Sequence, residues 1–173
     1  MKKLFSLLAT ATLIVAFGIS ANAQSLKIGH IDSSKVMELL PERTQMEQEL
    51  QSYYTELQGQ LQTMANEYQN KLQDYEAQSA TMSNLVRQSK EKEIVDLQNR
   101  IQEFQQNAET AFDQKRMDLL KPLIEKVQNA VNAVGKEKGF TYILDLATGA
   151  TVYVGDNAVD ITSDVKTKLG INK

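Results

Sequence analysis

The chain has no cysteine, one histidine and two prolines among 173 residues. Without cysteine there can be no disulfide and no thiolate metal site, so stability has to come from packing or from partners. The single histidine, His30, sits in a strand-like segment, where an imidazole is far more often packed or surface-exposed than a base or a ligand. No EF-hand spacing, nucleophile elbow or phosphate loop is present, and turns and helix caps account for Asp156, Asp160 and Asp164 without a metal. The chain is therefore expected to be no enzyme and to use no cofactor or metal. A run of apolar residues long enough to cross a bilayer is also missing. The longest, Leu4 to Ile19, falls short of the roughly 20 residues a spanning helix needs. It lies behind Lys2 and Lys3 and ahead of Ala21-Asn22-Ala23, the three parts of a secretory signal, so residues 1–23 are read as a cleaved signal peptide and the mature protein as periplasmic. Removing them takes two bases from 19 and no acid from 22, leaving 17 against 22 and a net charge of −5. That balance argues against nucleic acid as a ligand.

What the chain does have is helical periodicity. From Met46 the apolar positions run Leu50, Tyr53, Leu57, Leu61, Met64, Tyr68, Leu72 and Tyr75, in steps of three and four that repeat every eleven residues. An eleven-residue repeat holds an apolar seam nearly straight or slightly right-handed. A second run follows through Ile94, Leu97, Ile101, Phe104, Ala108, Phe112, Leu119, Leu120, Leu123, Ile124, Val127, Val131 and Val134. Between them Gln78 to Asn84 breaks the seam with Ser, Thr, Ala and Asn, the natural place for a reversal. It contains neither Gly nor Pro, so a continuous helix is the competing reading. Two long stripes that cannot bury themselves are best satisfied by packing antiparallel on each other. Pro41 marks a restart before the first long helix, and Pro122 should kink the second.

Both ends of the chain read as a small β-containing body. Leu26 to Ile31 is a short strand followed by the cap types Asp32-Ser33-Ser34. Phe140 to Leu146 is a second strand, with Thr151 to Val154 as its hairpin partner across a turn at Ala147 to Ala150. A short final helix to Leu169 is expected to be capped by Thr162 and stopped by Gly170. Three short strands expose edges and offer too little apolar face to stand alone, so subunits should complete each other's sheet. The expected oligomerisation core is Ile28, Ile31, Phe140, Tyr142, Leu144, Leu146, Val152 and Val154. Tyr54, one residue off the seam, should point away from it, as should Met82, Leu85 and Val86 at the reversal. These four are the candidate contacts for apolar clients, because deformable Met and aromatic groups on an arm suit promiscuous binding.

The strand KIGHID with Ser33 and Val36, the helix Lys121 to Val131, the passage Gly139-Phe140 to Ile143-Leu144-Asp145 and the ending Val159-Asp160-Ile161-Thr162-Ser163-Asp164-Val165 together resemble the Skp/OmpH family of periplasmic chaperones. The resemblance implies a mainly α, α+β protein: a homotrimer whose β-barrel-type body carries long antiparallel coiled-coil hairpins around a cavity. It implies an ATP-independent holdase that keeps unfolded outer-membrane β-barrel proteins from aggregating and aids their delivery. The expected organisation is body over 24–41, arm over 42–121 with its tip near 78–86, and body again over 122–173. One feature departs from the family, whose tips are often cationic. From Lys71 to Glu93 the bases Lys71, Arg87, Lys90 and Lys92 equal the acids Asp74, Glu76, Glu91 and Glu93, so tip-mediated binding of lipopolysaccharide or anionic lipid is not carried over. The alternative reading is a scaffolding coiled coil of the cell envelope.

Overall fold

The structure, a computed structural model, describes residues 26–171, so the expected signal peptide lies outside the described residues. The described chain is mainly helical. Strand β1 (Ile28–Ile31) leads into helix α1 (Ser33–Glu38), and Pro41 opens helix α2 (Pro41–Gln78). After a short turn, helix α3 (Asn84–Lys138) returns and ends on Gly139 in the left-handed region, φ 67°. Strand β2 (Tyr142–Asp145), a 3-10 turn (Leu146–Thr148), strand β3 (Val159–Asp160) and helix α4 (Thr162–Lys168) complete the order.

Partners across the two long helices fall in number on one as they rise on the other: Glu42 with Lys126, Glu49 with Lys115, Lys71 with Glu93. The helices are therefore antiparallel. The half-buried side of α2 includes Met46, Leu50, Tyr53, Leu57, Leu61, Met64, Tyr68, Leu72 and Tyr75, and no residue of α2 is fully buried. At 1.5 Å per residue α2 is about 57 Å long and α3 about 80 Å. The last third of α3, buried at Leu123, Val127, Ala130 and Val134, belongs to the body. Pro122 sits inside α3 without ending it.

The body's sheet is open and three-stranded, in the order β2-β1-β3, with β1 parallel to both neighbours. Parallel strands need a long crossover between them. Here the β1-to-β2 crossover is the whole arm. No barrel is closed among the described residues. The expected hairpin is absent as well: Thr151 to Val154 forms no strand, and Val152 is 97 % and Tyr153 83 % exposed. Asp145 explains the break, since its side chain accepts from the Ala147 amide at 3.0 Å and starts the 3-10 turn, which ends at Gly149 with φ 70°. The third strand comes from Val159–Asp160 instead.

One face of this sheet covers the helices. Ile31, Val36, Leu40, Leu123, Val127, Ala130, Val134, Ile161 and Val165 form the core. Ile31 thus belongs to the chain's own interior, which corrects its expected role between subunits. Phe140 is also turned inward. Its ring lies against Gly29, where an added Cβ would stand 2.9 Å from Cε1, and the Lys27 ammonium sits 4.4 Å from the ring centroid. Only glycine allows that approach. Leu146, expected to end the strand, begins the 3-10 turn and is half-buried. Asp145 ties the strand end to α1 by accepting from the Ser33 amide at 3.1 Å and the Ser33 hydroxyl at 2.5 Å.

Helix α4 is capped differently from expectation. Thr162 lies inside it, and its amide and hydroxyl donate to Asp160 Oδ1 at 2.8 and 2.5 Å. Asp32, by contrast, caps α1 through its carboxylate, accepting from the Lys35 amide at 3.2 Å and the Ser34 hydroxyl at 2.7 Å. The Ser34 hydroxyl, and then Lys35, lower the Asp32 pKa to about 2. A carboxyl depressed on folding adds stability that is in place above its unfolded value near 3.9, and that stability is lost as pH falls toward the folded value. Asp32→Ala is expected to cost about 1 kcal/mol at neutral pH, the usual value of an N-cap. Thermal melts of wild type and variant should differ at pH 7 and converge as the pH falls from 4 toward 2.

Candidate functional site

The reversal between the long helices spans Ser79 to Ser83, and the Ser83 hydroxyl opens α3 by accepting from the Val86 amide at 3.4 Å. That geometry throws the next residues outward. Leu85 is 78 % exposed and Val86 is exposed, while Met82 is half-buried. Below the tip the helices are joined by Lys71 Nζ to Glu93 Oε2 at 3.1 Å and by the Tyr75 hydroxyl donating to Glu91. Solvent screens exposed pairs of this kind, so each adds little. They set register more than they stabilise. At the arm's root Lys126 pairs with Glu42 and holds that carboxyl below its usual range.

Tyr54 lies far from the tip residues, and it does not point away from the arm as its off-seam position suggests. Its ring meets Phe112 edge-on, with centroids 5.9 Å apart and planes at 70°, and its hydroxyl accepts from Gln58 Nε2 at 2.7 Å. About half of the residue remains exposed. Beside this pair the two helices leave an almost wholly apolar recess of about 260 Å³, floored by Leu57, Leu61, Phe104 and Ala108. A second, more open groove shares Tyr54 and Phe112 and continues along Leu50 and Gln51. The sequence reading missed Phe104, Phe112 and Ala108 as site residues because each fits the seam. The signal was Ala108, a methyl at a position where the stripe otherwise carries large groups.

The remaining candidates gather on the body. Ile28, Tyr142 and Leu144 share the sheet face turned away from the helices, and all three are exposed. Val154 lies beside Ile28 and Leu144 around His30, whereas Val152 projects further into solvent. Among the described residues no group of three or more His, Asp or Glu could hold a metal ion. No described helix is long and apolar enough to cross a membrane.

This arrangement has known counterparts. The sequence model of a family described as outer membrane protein (OmpH-like) matches residues 27–169. The chain is 26% identical over 158 residues to the chaperone protein Skp of Yersinia enterocolitica, covering 91% of this chain and 94% of that one. Skp of Pectobacterium atrosepticum is 28% identical over 159 residues, with the same coverage. A crystal structure of an OmpH-like protein from Caulobacter crescentus superposes with a TM-score of 0.69 over 83% of both chains at 14% identity, a likeness of fold.

Proposed function

Because the chain belongs to the OmpH-like outer membrane protein family, whose model spans nearly all of the described chain, we propose that it is an ATP-independent periplasmic holdase for unfolded outer-membrane β-barrel proteins. The observation that carries this reading is the arm itself. Two helices run far beyond the body, bury almost nothing fully along the way, and leave Tyr54, Leu85 and Val86 exposed. Such an arm gains little for its own fold from its length. What it offers is reach and many weak apolar contacts. A holdase without a nucleotide needs that combination, because each contact must yield when the client reaches a better-packed state.

The reading includes a homotrimer whose subunits complete the open sheet into a barrel-type body. Supporting it are the exposed sheet face of Ile28, Tyr142 and Leu144 and the segment Thr151-Val152-Tyr153-Val154, four β-favouring residues with no strand partner among the described residues. Three bodies side by side would set three arms around a cavity. Binding there would rest on apolar contacts rather than on a charged tip, since the tip's charges cancel.

Dilution of a urea-denatured outer-membrane β-barrel into buffer without ATP, followed by light scattering, tests the proposal. Suppression of scattering at about one oligomer per client is the expected result. Unchanged scattering across several barrels would leave the envelope scaffold as the better reading.

A further inference from the structure

The stretch of the arm around the Tyr54 recess contains no base. From Thr44 to Asn70 on α2 and from Ile101 to Gln114 on α3 there is no Lys, Arg or His, yet these stretches carry Glu47, Glu49, Glu56 and Glu67 on one helix and Glu103, Glu109 and Asp113 on the other. Three of the seven are paired by bases at or beyond the borders: Glu47 by Arg43 at 2.8 Å, Glu49 by Lys115 at 2.6 Å and Asp113 by Arg116 at 3.2 Å. Among the described residues Glu56, Glu67, Glu103 and Glu109 form no ion pair. The apolar recess between Tyr54, Phe104 and Phe112 opens inside this band, and Glu109 stands on its rim.

Resting on the holdase reading, we infer that this recess is a client subsite for one aromatic side chain flanked by Lys or Arg in an unfolded β-barrel segment. Size and charge choose the occupant together. At about 260 Å³ the recess lies below the roughly 300 Å³ at which pockets for drug-sized ligands begin, so it suits a single side chain. Its aromatic walls offer ring edges and faces. Strands of outer-membrane barrels carry aromatic residues in girdles at both membrane interfaces, and a basic neighbour meets the unpaired Glu109 carboxylate on the rim, within a stretch of the arm that is otherwise acidic. An acidic neighbour would meet only repulsion. The arm thereby sorts segments by what adjoins their aromatic residue, at mid-length rather than at the neutral tip.

The chain has no tryptophan, so emission from a peptide tryptophan can be read without interference. The test titrates the intact mature oligomer into a short extended peptide with one tryptophan between lysines. A blue shift on binding is expected, with affinity about tenfold weaker when the lysines become glutamates and falling as salt rises. Ala108→Phe, which fills the recess, should abolish the shift. Glu109→Lys, an exposed change that leaves the fold alone, should reverse the preference between basic and acidic peptides. Equal affinity for both peptides, or no blue shift, overturns the inference, as does an Ala108→Phe variant that changes oligomer mass but not peptide binding, since the recess would then hold a neighbouring arm. Failure of the peptide with barrel aggregation still suppressed sinks this subsite alone. Loss of suppression in the wild type sinks the holdase reading beneath it.

Discussion

Leu97→Ala is expected to destabilise the arm by about 2–5 kcal/mol, the range for emptying a buried leucine site. Leu97 is 1 % exposed, and Ile94 is the other buried apolar residue of the outer arm. The pairs Lys71–Glu93 and Glu49–Lys115 fix the register, which puts Leu97 level with Glu67 and next to the seam residue Tyr68. Everywhere else in the outer arm the seam is only half-buried, so the loss has nothing nearby to compensate it. Amide exchange in the outer halves of α2 and α3 should quicken by roughly 30-fold or more, while the body's amides keep their protection. Leu85→Ala serves as the control, because a leucine already in solvent should change stability by no more than about 0.5 kcal/mol. Exchange in Leu97→Ala no faster than in that control would mean the arm is held by neighbours rather than by its own seam.

The second large effect concerns assembly. Val152→Asp combined with Val154→Asp should leave the chain folded and separate the proposed subunits. Within one chain Val152 is almost wholly exposed and Val154 partly so, and neither belongs to the core around Ile161 and Val165. If the unpaired segment completes a neighbour's sheet, each valine buried there contributes roughly 1.5–3 kcal/mol. A carboxylate in its place adds an uncompensated buried charge. The dissociation constant should rise more than a hundredfold, read by analytical ultracentrifugation, with far-UV circular dichroism largely unchanged. An oligomer of unaltered mass would place the subunit contact elsewhere on the chain.

The helices were legible in the sequence because their signal is repeated. Nine seam positions from Met46 to Tyr75, chosen by spacing alone, are half-buried in α2, and Pro41 and Gly139 mark boundaries by local chemistry that needs no tertiary context. The sheet was legible only in part. Thr151 to Val154 has strand composition but no strand partner among the described residues, whereas Val159–Asp160 is too short for any alternation to show. Strand pairing is decided by distant segments, and here the segments are parallel, so no turn between neighbours announced them. Ile31 and Phe140 read from sequence as subunit contacts because a strand's two faces cannot be ranked before the helices are placed. Ile143, which alternates with Tyr142 and Leu144 along β2, is the residue of that strand that packs on the core. The recess at Tyr54 escaped notice because a cavity is the absence of an atom, and a single Ala108 in a long stripe is weak notice of one.

The central strand β1 comes first in the chain, and both of its neighbours come last: Ile28 pairs with Tyr142 and Gly29 with Val159. Those contacts are separated by 114 and 130 residues, 142 less 28 and 159 less 29. Closing so long a loop as free coil carries a large entropic barrier. The helical hairpin removes most of it, since zipping from the turn at Ser79 to Ser83 through local contacts carries the two ends of the chain back to the same place. The arm thus acts as the template on which its own base folds. During synthesis or export β1 waits unpaired until nearly the whole chain has appeared, and changes that slow the hairpin's zipping should delay the sheet by the same factor.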